Sequence, residues 1–252
     1  EVEVIRVLPR VGMKFDASAV RQLVNQLAGL RQSRLHQLIR GREWMRFLIV
    51  REAEGIAFYI ITPKNRTRAA VAAWASVYPD AEFFEVENVP ELYGHQTYAI
   101  PLMRGPLAGL PFRDIGDVNK EAPSPLIAAM AHMRTEGSWV EISFSPGSWR
   151  KLQKQTKQAA QATGSGPWTD DPDIKARRKA TYSRFTGREI PLNVVITLGS
   201  PGLGELQSMA NGFSAAFSAD NRVGFRAPWP LEDSIPFPAP GRQFLLTSEE
   251  AG

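Results

Sequence analysis

Two runs of β-branched and aromatic residues set the tightest limits on how this chain can fold: Trp44-Met-Arg-Phe-Leu-Ile-Val50 and Ile56-Ala-Phe-Tyr-Ile-Ile-Thr62. Between them lies Arg51-Glu-Ala-Glu-Gly55, polar and ending in glycine, so the pair predicts a β-hairpin. Pro63 closes the second run, because proline has no N–H to give to a ladder. A helical stretch over Asn65–Val77 follows, with Val71, Trp74 and Val77 at the spacing of a buried stripe. Tyr78-Pro-Asp-Ala81 then turns the chain into Glu82-Phe-Phe-Glu-Val-Glu87, a further strand. The unit is strand, strand, helix, strand.

Upstream, Val2–Leu8 alternates as a strand and Pro9 ends it. Asp16 suits the N-cap of a helix from Ala17 towards Leu30, with Val20, Leu23, Val24, Leu27 and Leu30 on one face. Arg31–Arg42 is basic and reads either as more helix or as a connection. The order over 1–95 is therefore β-α-β-β-α-β, the split βαβ or ferredoxin-like arrangement: an antiparallel sheet with two helices on one face.

The second half repeats the order. Residues 88–95 read as a loop, Gln96–Met103 as a strand, and 104–122 as a Gly/Pro-rich connector. Ser124 caps a helix over Pro125–Arg134, with proline at the favoured first position and Gly137 after the end. Ser138–Ser145 alternates as a strand in which Trp139 takes the part of Trp44. Ile190–Leu198 is the next strand, Leu203–Phe217 a helix facing inward through Leu206, Met209, Ala210, Phe213 and Phe217, and Arg222–Phe225 the last strand. The fold class is thus α+β, two tandem ferredoxin-like units with antiparallel sheets, the second occupying 96–228. Its central hairpin carries an insertion, 146–189. Structureless loops of that length are uncommon in compact domains, so the insertion calls for a helix of its own, over Trp149–Ala162, and a second basic one over Asp173–Ser183. Residues 229–252 form a proline-rich, extended tail in which Phe244–Glu250 looks like the start of a further domain.

Composition narrows the function classes. With 43% apolar residues in 252, the chain can bury a real core. It has no cysteine, which removes disulfides, thiolate metal sites and thiol nucleophiles together and fits the cytoplasm. No run approaches the roughly 20 apolar residues of a membrane-spanning helix, and no signal peptide is legible. Opening on Glu1 rather than Met is the expectation for a piece of a longer protein.

The net charge of +4 is unevenly spread. From Trp149 to Arg188 there are ten Lys/Arg against three Asp, a local +7 that leaves −3 for the remainder. Arg150, Lys151, Lys154 and Lys157 fall near one face of a helix, and Lys175, Arg177, Arg178 and Lys179 form a second cluster. Rows of ammonium and guanidinium groups suit a phosphate backbone, and Trp149 or Trp168 suits stacking on bases. A solvated helix, or a face for an acidic neighbour, uses the same residues. Catalytic constellations are not legible. The three histidines (36, 95, 132) share no metal-ligand spacing. Gly199-Ser-Pro-Gly-Leu-Gly-Glu205 has the context of a phosphate loop, but Glu205 stands where Lys or Ser/Thr would serve, so a plain strand-to-helix turn is the simpler reading. Glu85 and Glu87 share a strand face without forming an acid–base pair. Trp44, Trp74 and Trp139 read as core.

Phe47-Leu-Ile-Val50, Ile56-Ala-Phe-Tyr-Ile60, Val77-Tyr-Pro-Asp-Ala-Glu82 and Val86-Glu87 together resemble the region ahead of the motor domain in conjugative-transfer ATPases. These are the type IV secretion and coupling-protein-like members of the RecA-like hexameric motors. Pro123–Met130, Gly137–Ile142, Met209–Ser218 with Asn221, and Phe244–Glu250 extend the resemblance over most of the chain. It departs from the family in having no Walker A, Walker B or arginine finger, so no catalytic residue carries over. The resemblance implies a non-catalytic assembly and docking region in the cytoplasm of a bacterium. It would have no cofactor of its own, ATP and Mg belonging to the full-length protein, and no small-molecule substrate. Its expected partners are further copies of itself, secretion components, and DNA at the basic insertion. Relatives often carry a membrane anchor upstream, so membrane association through a segment outside this chain is part of the expectation. The rival is a free-standing ferredoxin-like RNA- or DNA-binding protein, which needs exposed aromatics on central strands; Phe58, Tyr59, Phe83 and Phe84 are aromatic, but the RNA-binding consensus is missing. An enzyme with a cleft between the repeats is the third reading.

Overall fold

The computed structural model describes residues 2–10, 17–30, 44–87, 98–104, 125–163, 172, 175–176, 179, 191–215, 223–225, 229–230 and 244–246. They form an α+β protein. Its elements are β1 (Val2–Leu8), α1 (Ala17–Gly29), β2 (Met45–Glu52), β3 (Gly55–Pro63), a 3-10 turn (Lys64–Arg66), α2 (Thr67–Val77), β4 (Glu82–Val86) and β5 (Tyr98–Arg104). These are followed by α3 (Pro125–Met130), β6 (Trp139–Pro146), α4 (Trp149–Thr163), β7 (Leu192–Ser200), α5 (Leu203–Ala215), β8 (Val223–Phe225), β9 (Trp229–Pro230) and β10 (Phe244–Leu246).

The β2–β3 hairpin turns over Ala53 and Glu54 into Gly55, which pairs with Glu52 at a φ of 145 that a side chain would rarely tolerate. Alternation sorts its residues onto two faces. Met45, Phe47, Ile49 and Ile60 meet the helices, whereas Leu48, Val50, Tyr59 and Ile61 point the other way. β1 lies antiparallel on β3 and β4 antiparallel on β1, so the first four strands run β4-β1-β3-β2. In the second half the path is β6-β7-β5-β8, the same relation between chain order and position, reversed in direction.

Two sheets are the expectation from sequence; the strands instead join in one. β2 pairs antiparallel with β6 from Met45 opposite Phe144 to Val50 opposite Trp139. The complete path is β4-β1-β3-β2-β6-β7-β5-β8. Neither β2 nor β6 could shed its apolar faces at an exposed edge, and pairing them covers both edges at once. Four helices share one face. α1 and α2 pack with Leu23, Leu27, Ala70, Ala73 and Trp74 over the first half, and α3 and α5 with Ala129, Leu206, Met209 and Phe213 over the second. Phe47, Phe58 and Phe144 touch both clusters, so the core is continuous across the seam. All nine residues of β7 are buried, in keeping with its near-continuous apolar run.

Several expectations shift in detail. Val71 and Val77 are only half-buried in α2, where Ala70, Ala73 and Trp74 form the buried stripe; the small alanines let the helix lie close to the sheet. The helix expected over Asn65–Val77 begins with the 3-10 turn. α3 stops at Met130, after which His132 and Met133 donate to carbonyls three residues back and tighten the chain towards Gly137, at φ 83. The tail is extended at its described points, yet it returns to the sheet: β9 pairs with β5, and Phe244–Leu246 pairs with Val194–Leu192 of β7. The expected connection over 31–42, the loop 88–95 and the connector beyond Arg104 lie outside the described residues. Among the described residues no helix is long and apolar enough to cross a membrane.

Candidate nucleic-acid interface

The insertion leaves the sheet where β6 ends at Pro146 and returns before Leu192. Its neck is pinned by the Gly147 N–H donating to the Pro191 carbonyl at 2.7 Å. Between them stands α4, Trp-Arg-Lys-Leu-Gln-Lys-Gln-Thr-Lys-Gln-Ala-Ala-Gln-Ala-Thr, made almost wholly of strong helix formers. Leu152 and Thr156 are buried, and Trp149 and Gln155 half-buried. Arg150, Lys151, Lys154 and Lys157 are all exposed.

At about 100° per residue the Arg150, Lys154 and Lys157 directions fall within roughly 60° of each other, with Lys151 about 60° beyond. The Leu152–Thr156 side lies nearly opposite. One face therefore anchors the helix and the other presents four cations. α4 contains no Asp or Glu, so no i, i+4 partner neutralises them. Arg150 and Lys151 also sit in the first turn, where the helix dipole disfavours cations by about 0.3–1 kcal/mol each. Both positions go against the helix dipole with no acidic residue in the first turn to offset them.

Of the second cluster, Lys175 and Lys179 are helical and exposed, while Arg177 and Arg178 lie outside the described residues, as does Trp168. Trp149 is half-buried and offers only part of its ring.

The strand-to-helix turn before α5 is held for a different purpose. Glu205 accepts hydrogen bonds from the Arg134 N–H (2.8 Å), the Thr135 N–H, the Thr135 hydroxyl and the Ser138 hydroxyl (2.7 Å). The Ser200 hydroxyl donates to the Ser138 oxygen at 3.0 Å and accepts from the Gly202 N–H. The carboxylate thus ties the start of α5 to the turn after α3. Burial pushes the Glu205 carboxyl up, but the hydrogen bonds from Ser138, Thr135 and the two amides outweigh it, so it titrates below the usual carboxylate range. An incoming phosphate would meet a negative side chain already seated on those donors.

The aromatic residues of the first half do not line up as a base-stacking platform. Phe58 and Phe83 pack towards the helices, and Tyr59 is buried on the opposite face. The Tyr59 hydroxyl donates to Glu52, which also meets Arg6 at 2.9 Å. Burial first, then that bond and the Glu52 charge, push the phenol up to about 12, against a smaller opposing effect of Arg6. Of these four aromatics only Phe84, on β4, is exposed.

Sequence reasoning passed over the ion pair at the seam. Arg46 of β2 lies 3.7 Å from Glu141 of β6, with both side chains largely buried, and Ser143 donates to the same carboxylate at 2.7 Å. The signal was present: one charged residue stands inside each of two otherwise apolar alternations, Met45-Arg46-Phe47 and Val140-Glu141-Ile142. Among the described residues no group of three or more His, Cys, Asp or Glu could hold a metal ion. Compared with known proteins, the chain matches no family model and no curated protein.

Proposed function

We propose that this chain is a non-catalytic assembly and docking region of a conjugation-type, DNA-translocating ATPase of type IV secretion, made of two tandem ferredoxin-like units and contacting DNA through α4. The strand orders β4-β1-β3-β2 and β8-β5-β7-β6 support the tandem reading, with boundaries near 1–95 and 96–228 and the tail 229–252 leading on. In this reading the region works in the cytoplasm, any membrane anchor lies outside these residues, and ATP and Mg bind elsewhere in the full-length protein. The observation that carries the DNA contact is the two-sided build of α4, anchored by Leu152 and Thr156 and cationic opposite. The rival sheet-face platform has less support, because Tyr59 is closed off.

Four phosphates neutralised by α4 correspond to a slope of about −3.6 in log K against log salt, and to an affinity loss on the order of 10²-fold between 50 and 200 mM salt. Fluorescence anisotropy with a labelled duplex measures both. Replacing Lys151, Lys154, Arg177 and Arg178 by Gln should flatten the slope by roughly one unit for each phosphate no longer neutralised. Equal affinity and slope in that variant would refute the DNA contact.

A further inference from the structure

The hydrogen-bond register places the start of α2 beside the root of α4. Arg46 of β2 pairs with Ile61 of β3 on one side and with Ser143 of β6 on the other. These three residues form one row across the sheet, and at about 4.8 Å per strand the outer two stand roughly 10 Å apart. From that row β3 runs on to Pro63 and into the 3-10 turn Lys64–Arg66 and α2. β6 runs on to Pro146, and α4 begins at Trp149. Both connections therefore leave the sheet at the same end, with only β2 between them.

Both are cationic. Lys64 and Arg68 are exposed and Arg66 is half-buried. The chain has no Asp or Glu from Ile56 to Pro79, nor from Ile142 to Thr169. The first turn of α2 holds no acidic residue either, so the positive end of the helix dipole adds to the field of Arg66 and Arg68. Glu141, close to the row, is matched by Arg46. The other carboxylates towards that end are Glu3 on β1, Glu85 on β4 and Glu87 after it; they lie beyond β3, on the side away from α4. They bound a positive patch that runs from α4 across the end of β2 to α2. One acidic side chain would meet one of the two clusters, whereas a polyanion charged along its whole length reaches both. A bilayer is the poorer match, because Leu152, the leucine of α4, is buried instead of facing outward to enter it.

We propose that Lys64, Arg66 and Arg68 form a second contact for the phosphate backbone of the duplex held by α4. It rests on the DNA contact proposed above and extends its footprint across the end of the sheet. Fluorescence anisotropy of the full chain with a labelled duplex over a salt series tests it. Three further phosphates take the slope of log K against log salt from about −3.6 for α4 alone to about −6.3. Lys64→Gln with Arg66→Gln and Arg68→Gln should return it to about −3.6, and Arg68→Gln alone, at an exposed position, should flatten it by about 0.9. The charge-keeping set Lys64→Arg, Arg66→Lys and Arg68→Lys should bind as the wild type does, which separates charge from folding. A wild-type slope in a folded Gln triple variant overturns this proposal. If Arg150→Gln with Lys151→Gln, Lys154→Gln and Lys157→Gln still flattens the slope in that case, the α4 contact stands without it. A wild type that binds no duplex removes the α4 contact and this one together. Co-sedimentation with phosphatidylserine vesicles that the triple variant loses, at an unchanged DNA slope, assigns the cluster to a membrane and equally overturns the proposal.

Discussion

At the residue scale, two positions hold junctions by opposite means. Gly199 pairs with Trp139 across β6 and β7, and a Cβ there would overlap the indole, which is fully buried. Gly199→Ala must displace either the ring or the strand, and should cost about 3 kcal/mol in urea unfolding, at the upper end for overpacking. Glu205 works through charge. Its folded pKa is depressed, so its stabilisation is fully present above the unfolded value and is lost as pH falls through the folded one. Glu205→Gln should lower stability by about 1–2 kcal/mol at pH 7, a figure discounted for partial exposure, and the two proteins should converge in acid. A constant gap across that pH range would show that charge is not the cause. Glu205 as an N-terminal carboxylate was legible from the Gly-rich turn; its donors at 134, 135 and 138 were not, because they are brought to it by the α3–β6 turn.

Elements followed from periodicity wherever one face was apolar. The β2–β3 hairpin, α2, β6 and α5 fall close to their expected spans, since β alternation and helical stripes are local patterns, and α4 does so through helix propensity. What α4 rests on was not local. Leu152 is a lone leucine in a polar helix, and its full burial makes it the anchor. Leu152→Ala should cost about 2–4 kcal/mol if the surroundings stay fixed. Should α4 instead undock, hydrogen exchange over 149–163 would rise while β6 and β7 remain protected. That variant should also bind DNA more weakly, although every cation is retained. Unchanged exchange and unchanged affinity would remove Leu152 as the anchor. The cationic face itself needed only helix spacing to be seen.

For the whole molecule, the seam between β2 and β6 joins the first four strands of the path to the last four. A shared core through Phe47, Phe58 and Phe144 and the Arg46–Glu141 pair both cross it. Calorimetry should therefore give a single transition whose van't Hoff and calorimetric enthalpies agree, and separate melting of the halves would contradict the seam. Glu141→Ala, which removes a buried carboxylate beside Arg46 and takes away the acceptor of the Ser143 hydroxyl, should lower stability by about 1–3 kcal/mol and leave the single transition intact. The α+β class, the spans of most strands and helices and the basic run over 149–188 were readable along the chain, because they depend on near neighbours. The merging of two sheets into one, the return of the tail to β5 and β7, and the meeting of Arg46 with Glu141 were settled in three dimensions. Strand partners are chosen by whichever edges remain open once the local units exist, and a hydrogen-bond edge is backbone, alike in every sequence.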